Sequence, residues 1–169
     1  MTEAGDLHAQ AIEVIARTPA VLRALLDGAP AAVVDAPADE DWSPKDVVAH
    51  LLITHQIGAI DRIRSMVEHD HPLLMNRDEN EELQRSGYQA WALADLLEAF
   101  AAHRETAVAW LRSLEPSAFA RTGEHSAVGA VTASEMLFHA AYHDTVHLAQ
   151  LTRMLGAPFE PLRGAMRAF

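Results

Sequence analysis

Trp42-Ser43-Pro44-Lys45-Asp46-Val47-Val48-Ala49-His50-Leu51-Leu52-Ile53 is the stretch on which the fold turns. Ser43 offers a hydroxyl to cap a helix, Pro44 suits the first helical position where no N–H is needed, and Asp46 stands three residues after the cap in a variant of the capping box. The apolar run that follows has no turn residues, so the start of a long helix is predicted here, running to about Glu68. His50 lies inside that run, among side chains that must be mostly buried, and a buried imidazole needs partners for its two nitrogens.

Working outward, the same signals recur near the other end. Thr132 and Glu135 form a T-x-x-E box, and the helix that it opens reaches Leu155 before Gly156-Ala157-Pro158 supplies a stop. Upstream, Leu7, Ala11, Leu22 and Leu25 fall at helical steps and predict a first helix over 6–27, which Pro19 should kink or split. Residues 28–41 hold two prolines, a glycine and a run of acids, and read as a connection. Residues 69–80 are polar and interrupted by Pro72; the helical pattern resumes near Tyr88 and lasts to about 114, ahead of Pro116. A loop over 115–131 precedes the last helix, and a short tail runs from Phe159 to Phe169. No segment shows a strand period. Helices over about 6–27, 44–68, 88–114 and 132–155 bury their apolar faces most simply in an all-α, antiparallel four-helix bundle, one domain spanning 1–169.

Composition narrows the function. The chain has 169 residues, half of them hydrophobic, which suits one core. It has no cysteine, so thiolate nucleophiles, iron–sulfur clusters and zinc fingers are excluded and any metal must sit on nitrogen and oxygen ligands. A formal charge of −11 without a basic stripe argues against nucleic acid, whose binding requires clustered cations to neutralise phosphates. The absence of a run of ~20 apolar residues and of a basic, then apolar, start predicts a soluble, cytoplasmic protein without membrane association. Lys45 is the sole lysine beside twelve arginines, a bias that, with the abundant alanine, suits a GC-rich bacterial genome.

Of the ten histidines, His8, His69, His71 and His103 sit near polar neighbours and need no role. His143 and His147, four residues apart, project from one helical face close enough to share an ion. His139 is equally spaced from His143, so spacing alone leaves two candidate chelates. A third nitrogen from another helix would complete a histidine triad with an open position, and His50 is the natural donor; His55, five residues on, points about 140° away. Asp144 points about 100° away from the ligand beside it, which suits a supporting or helix-packing role. Gln150 could hydrogen-bond a metal-bound water or equally cap a polar layer, and Glu135 and Asp144 are the acids nearest to the site in sequence.

Together the segments resemble the DinB superfamily, in particular its YfiT-like branch of metal-dependent hydrolases and thiol-dependent transferases. Trp42-Ser43-Pro44-Lys45-Asp46-Val47-Val48-Ala49-His50-Leu51 is similar to the family's helix opening, and His143-Asp144-Thr145-Val146-His147-Leu148-Ala149-Gln150-Leu151 to its ending. Arg104 and the Gly129-Ala130-Val131-Thr132 turn lie between them at positions where such sequences often carry Arg and Gly-x-x-Thr. The resemblance implies a homodimeric four-helix bundle with one divalent ion, zinc or nickel first, on His50, His143 and His147. His139, Asp144 and Gln150 then become neighbours of the site. It also implies a small-molecule substrate and, as co-substrate, a low-molecular-weight thiol. The expected activity is S-transfer or isomerisation, with metal-dependent hydrolysis or a non-catalytic, stress-related binding role as alternatives.

Overall fold

A computed structural model describes residues 3–38 and 42–168; Met1, Thr2, the acids at 39–41 of the expected connection and the last residue of the expected tail lie outside them. The first helix, α1, spans Glu3–Leu26, and a single turn, α2, spans Ala31–Val34. Helices α3 (Pro44–Ile57) and α4 (Ala59–Glu68) follow, then β1 (Leu73–Leu74), α5 (Glu79–Ser86) and α6 (Leu93–Ser113). Strands β2 (Thr122–His125) and β3 (Gly129–Thr132) lead into α7, Ala133–Gly156.

The four long elements α1, α3–α4, α6 and α7 form the expected bundle. Their relative directions follow from paired contacts. His8 meets Ser134 and Thr18 meets Asp144, so α1 and α7 run the same way. Gln56 meets His103 and Arg64 lies over Trp110, so α3–α4 and α6 run together. Glu13 pairs with Arg112 and His50 with His143, so the two pairs oppose each other. This up-down-down-up order requires the chain to return the length of the bundle between α4 and α6. The crossover carries β1 and α5, and α5 packs along α3.

Both capping boxes are present: Ser43 with Asp46, and Thr132 with Glu135. Pro19, however, does not split α1. Proline lacks the N–H that would bond the carbonyl of Ile15, and that carbonyl instead accepts from Arg104 Nη1 at 3.4 Å. The predicted 44–68 helix, conversely, is broken at Gly58, whose ψ of −136° leaves the helical region. A Cβ there would lie 2.2 Å from the Thr54 carbonyl oxygen, so the bend depends on glycine.

The expectation of no strands is also corrected. β1 pairs parallel with β2 (Leu73 with Glu124), and β2 pairs antiparallel with β3 (His125 with Gly129). Strands of two to four residues carry too little sequence to show a period. The expected tail continues from α7 in 3₁₀ turns over Ala157–Ala168, interrupted at Gly164.

The core has two apolar clusters. One gathers Ile15, Ile63, Met66, Leu111 and Leu137; the other gathers Leu22, Leu51, Leu52, Leu96, Phe100 and Leu151. Between them on each long helix stands a buried polar residue: Thr18 on α1, His55 on α3, Arg104 on α6 and Asp144 on α7.

Candidate metal centre

The site forms beside that polar layer. His50 is only 1% exposed, carried inward by the apolar face of α3, while His143 and His147 are half-buried on α7. Ligand atoms of these three histidines lie within 4.8 Å of one another. His50 Nε2 is 3.1 Å from His143 Nε2, and His147 Nε2 is 3.2 Å from His143 Nε2. Two nitrogens bound at 2.0–2.1 Å to one tetrahedral ion stand roughly 3.3 Å apart, so both spacings match ligands on a shared ion.

The protonation states suit this arrangement. Burial first, and repulsion from His147 and His143 second, push the pKa of His50 down to about 3. Burial, then His147, His139 and Arg104, push His143 to about 3 as well. Both rings are therefore neutral at pH 7 and have a lone pair to offer. His147 Nδ1 is 2.8 Å from Gln150 Oε1; as the carbonyl oxygen can only accept, Nδ1 carries a proton, and the neutral form of the ring has its lone pair on Nε2, facing His143. Gln150 thus fixes the ring's tautomer as well as its direction, the role that outer partners of metal-binding histidines commonly fill. Trp42, at the head of the motif, lies 5.0 Å from the His50 ring and donates from Nε1 to Asn80 at 3.1 Å, tying the crossover to the site.

The remaining sequence candidates are placed differently. His139 is exposed and contacts the His143 ring at 5.9 Å, outside the group of converging nitrogens. Asp144 faces the core: its carboxylate accepts from Arg104 at 2.7 and 3.2 Å and from Thr18 at 2.6 Å. Glu135 is occupied by the cap, accepting from the Thr132 backbone N–H and hydroxyl, which hold its carboxyl below the usual range. Neither acid is free to act as a base at the histidines.

Beside them opens a cavity of about 430 Å³, with His50, His139 and His143 on its wall. Its other walls come from the α3–α4 bend, the crossover and the β2–β3 turn. Sequence reasoning weighed the buried His55 only as an alternative to His50 and did not single out Arg62 or His125; all three also line it. His55 had a local signal, an imidazole within an apolar run; the other two meet only through tertiary contacts.

The sequence profile of the DinB superfamily matches residues 15–151. No curated protein sequence is significantly similar. Among solved structures, YfiT from Bacillus subtilis, described as a probable metal-dependent hydrolase with an unusual four-helix bundle topology, superposes with a TM-score of 0.81 at 21% identity, over 91% of this chain and 87% of that one. A mycothiol-dependent maleylpyruvate isomerase superposes with a TM-score of 0.71 at 15% identity, over 89% of this chain and 63% of that one. At such identities the likeness establishes the bundle alone. Among the described residues no helix is long and apolar enough to cross a membrane.

Proposed function

The chain belongs to the DinB superfamily, and from that membership we propose that it is a metal-dependent enzyme holding one divalent ion, zinc or nickel, on His50, His143 and His147. It joins a low-molecular-weight thiol to a small electrophile, or isomerises a small molecule through such an adduct. The observation that carries this reading is the meeting of three histidine nitrogens, spaced as ligands, beside a cavity large enough for a small molecule. A structural ion is normally closed by four protein ligands, whereas three leave a position for an exchangeable one.

The chemistry that a divalent ion supplies at such a position is Lewis acidity, which polarises a carbonyl or makes a nucleophile more acidic. The chain's own part is positioning. The α3 register brings His50 to α7, Gln150 orients His147, and the Arg104–Asp144 pair fixes the rotation of α7 from behind. Activating water calls for a base, and the acids nearest in sequence are engaged in the cap and the core. A thiol, with a pKa near 8.5, asks for less help. That difference favours thiol transfer over the second reading, metal-dependent hydrolysis, which would need a histidine on the cavity wall outside the triad, such as exposed His139, as its base.

Cobalt(II) loading tests the choice. With cobalt bound, adding a small thiol should produce a thiolate-to-cobalt charge-transfer band in the near ultraviolet, absent in the His143→Ala variant. Full cobalt loading with no such band would overturn the thiol reading.

We further propose that two copies pair through α1 and α7. Leu7, Val14 and Val21 form an exposed row on α1, and Phe138, Tyr142 and Val146 form another on α7. The 5.4 Å contact of His8 with Phe138 sets these rows side by side. Sedimentation should report a dimer, converted to monomer by Tyr142→Glu; a wild-type monomer at micromolar concentration would refute the pairing.

A further inference from the structure

Arg62, Arg77 and Arg104 line the cavity beside the histidines. Among the described residues two carboxylates line it, and both are engaged: Asp144 with Arg104, and Glu82 with Arg77 at 3.4 Å and Arg85 at 3.1 Å. Arg62 differs. Its Nη2 donates to the Met75 carbonyl at 2.8 Å, and among the described residues it has no salt bridge to an acid. Burial, then the neighbouring Arg77, disfavour its charge, with Asp61 opposing them.

His125 is 7% exposed and lines the same cavity. Its Nδ1 accepts from the Ala127 N–H at 3.3 Å, so the neutral ring carries its proton on Nε2. Arg62 and His139 are both near enough to disfavour a charge on His125, behind burial as the main cause. Arg62, Arg77, His125 and His139 all line this one cavity. Ile57, Ile60 and Met136 supply an apolar wall.

A planar guanidinium beside an N–H donor is the arrangement that carboxylates fit best, since both oxygens can be met at once. In a chain of net charge −11, an anion is drawn to such a place only where cations concentrate locally. We propose that this cavity binds a small organic carboxylate, its charged end between Arg62 and His125 and its apolar body directed along Ile57, Ile60 and Met136 towards His50 and His143. This names the substrate class of the site proposed above. It rests on that reading for the fate of the molecule and not for its binding.

The test is a binding titration, followed by ligand- and protein-observed NMR, of monocarboxylates from acetate to 3-phenylpropanoate, each beside its neutral primary amide. At least one acid should saturate the metal-loaded protein, with its amide bound at least tenfold more weakly. Arg62→Gln should weaken the acid at least tenfold with metal content unchanged, and Arg62→Lys, which keeps the charge but not the fork, should fall between. In metal-free His143→Ala the acid should still bind within about threefold of wild type. No saturable binding by any acid would overturn the proposal, as would undiminished binding to folded Arg62→Gln or binding lost with the metal. A wild-type protein that takes up no metal yet binds the acid would refute the metal reading alone.

Discussion

Replacing Asp144 by Asn removes one charge from the middle of the bundle and almost nothing else. The Arg104 and Asp144 side chains are 4% and 3% exposed, and the two bonds between them, at 2.7 and 3.2 Å, are joined by the Thr18 hydroxyl at 2.6 Å. With Asn at 144 the guanidinium stays buried without a counter-charge, a change that costs about 3–5 kcal/mol. Removing one hydroxyl bond to a charged group by Thr18→Val should cost less, about 1.5–3 kcal/mol. In urea, with a slope of about 2 kcal/mol per molar, the Asn variant's midpoint should fall by roughly 1.5–2.5 M. The comparison belongs in chelator, so that metal binding does not stabilise one protein more than the other. Arg104→Met/Asp144→Leu, which removes both charges, should recover most of the loss. A midpoint shift under about 0.5 M for Asp144→Asn would refute the claim that this pair is a desolvated ion pair joining α6 to α7.

Other perturbations reach different parts of the account. Gln150→Ala removes the acceptor that orients His147 and should weaken metal binding by about 10–100-fold while leaving circular dichroism unchanged, as measured by competition with a chromophoric chelator. Gly58→Ala forces a Cβ towards the Thr54 carbonyl; a cost of at least ~2 kcal/mol should lower the melting temperature by about 4–8 °C, and an unchanged melting point would show that the bend is optional. Burial raises the pKa of Asp46, but hydrogen bonds from Ser43 and Gln89 outweigh it and hold the carboxyl below its ordinary value. Its contribution is thus present above the unfolded value, near 4, and is lost as pH falls through the lower folded one. Asp46→Asn should cost about 1 kcal/mol at pH 7 and converge with wild type towards pH 3 in parallel urea titrations.

What could be read from the chain alone follows the range of the interactions. The capping boxes at Ser43–Asp46 and Thr132–Glu135 are local, so the starts of α3 and α7 were legible, and so was the direction in which each presents its histidines. The meeting of His50 with His143 needed the bundle, which apolar periodicity supplied. Pro19 misled because its effect depends on Arg104, eighty-five residues away, reaching the Ile15 carbonyl. The break at Gly58 had a signal, a glycine inside a helical run, but nothing local says that Thr54 and Gly58 crowd. The β2–β3 hairpin was hidden because Thr-Gly-Glu-His is too short and polar to show a strand period, and it is this hairpin that places His125 against the cavity holding Arg62.

The most direct measurement is the metal content of untagged, chelator-washed protein, by elemental analysis, beside that of His143→Ala prepared in the same way. The account predicts about one divalent ion per chain, lost in a variant whose helical circular dichroism is unchanged because packing rather than ligation supplies most of the stability. No metal in the wild type after exposure to zinc and nickel, or equal metal in both proteins, would contradict it.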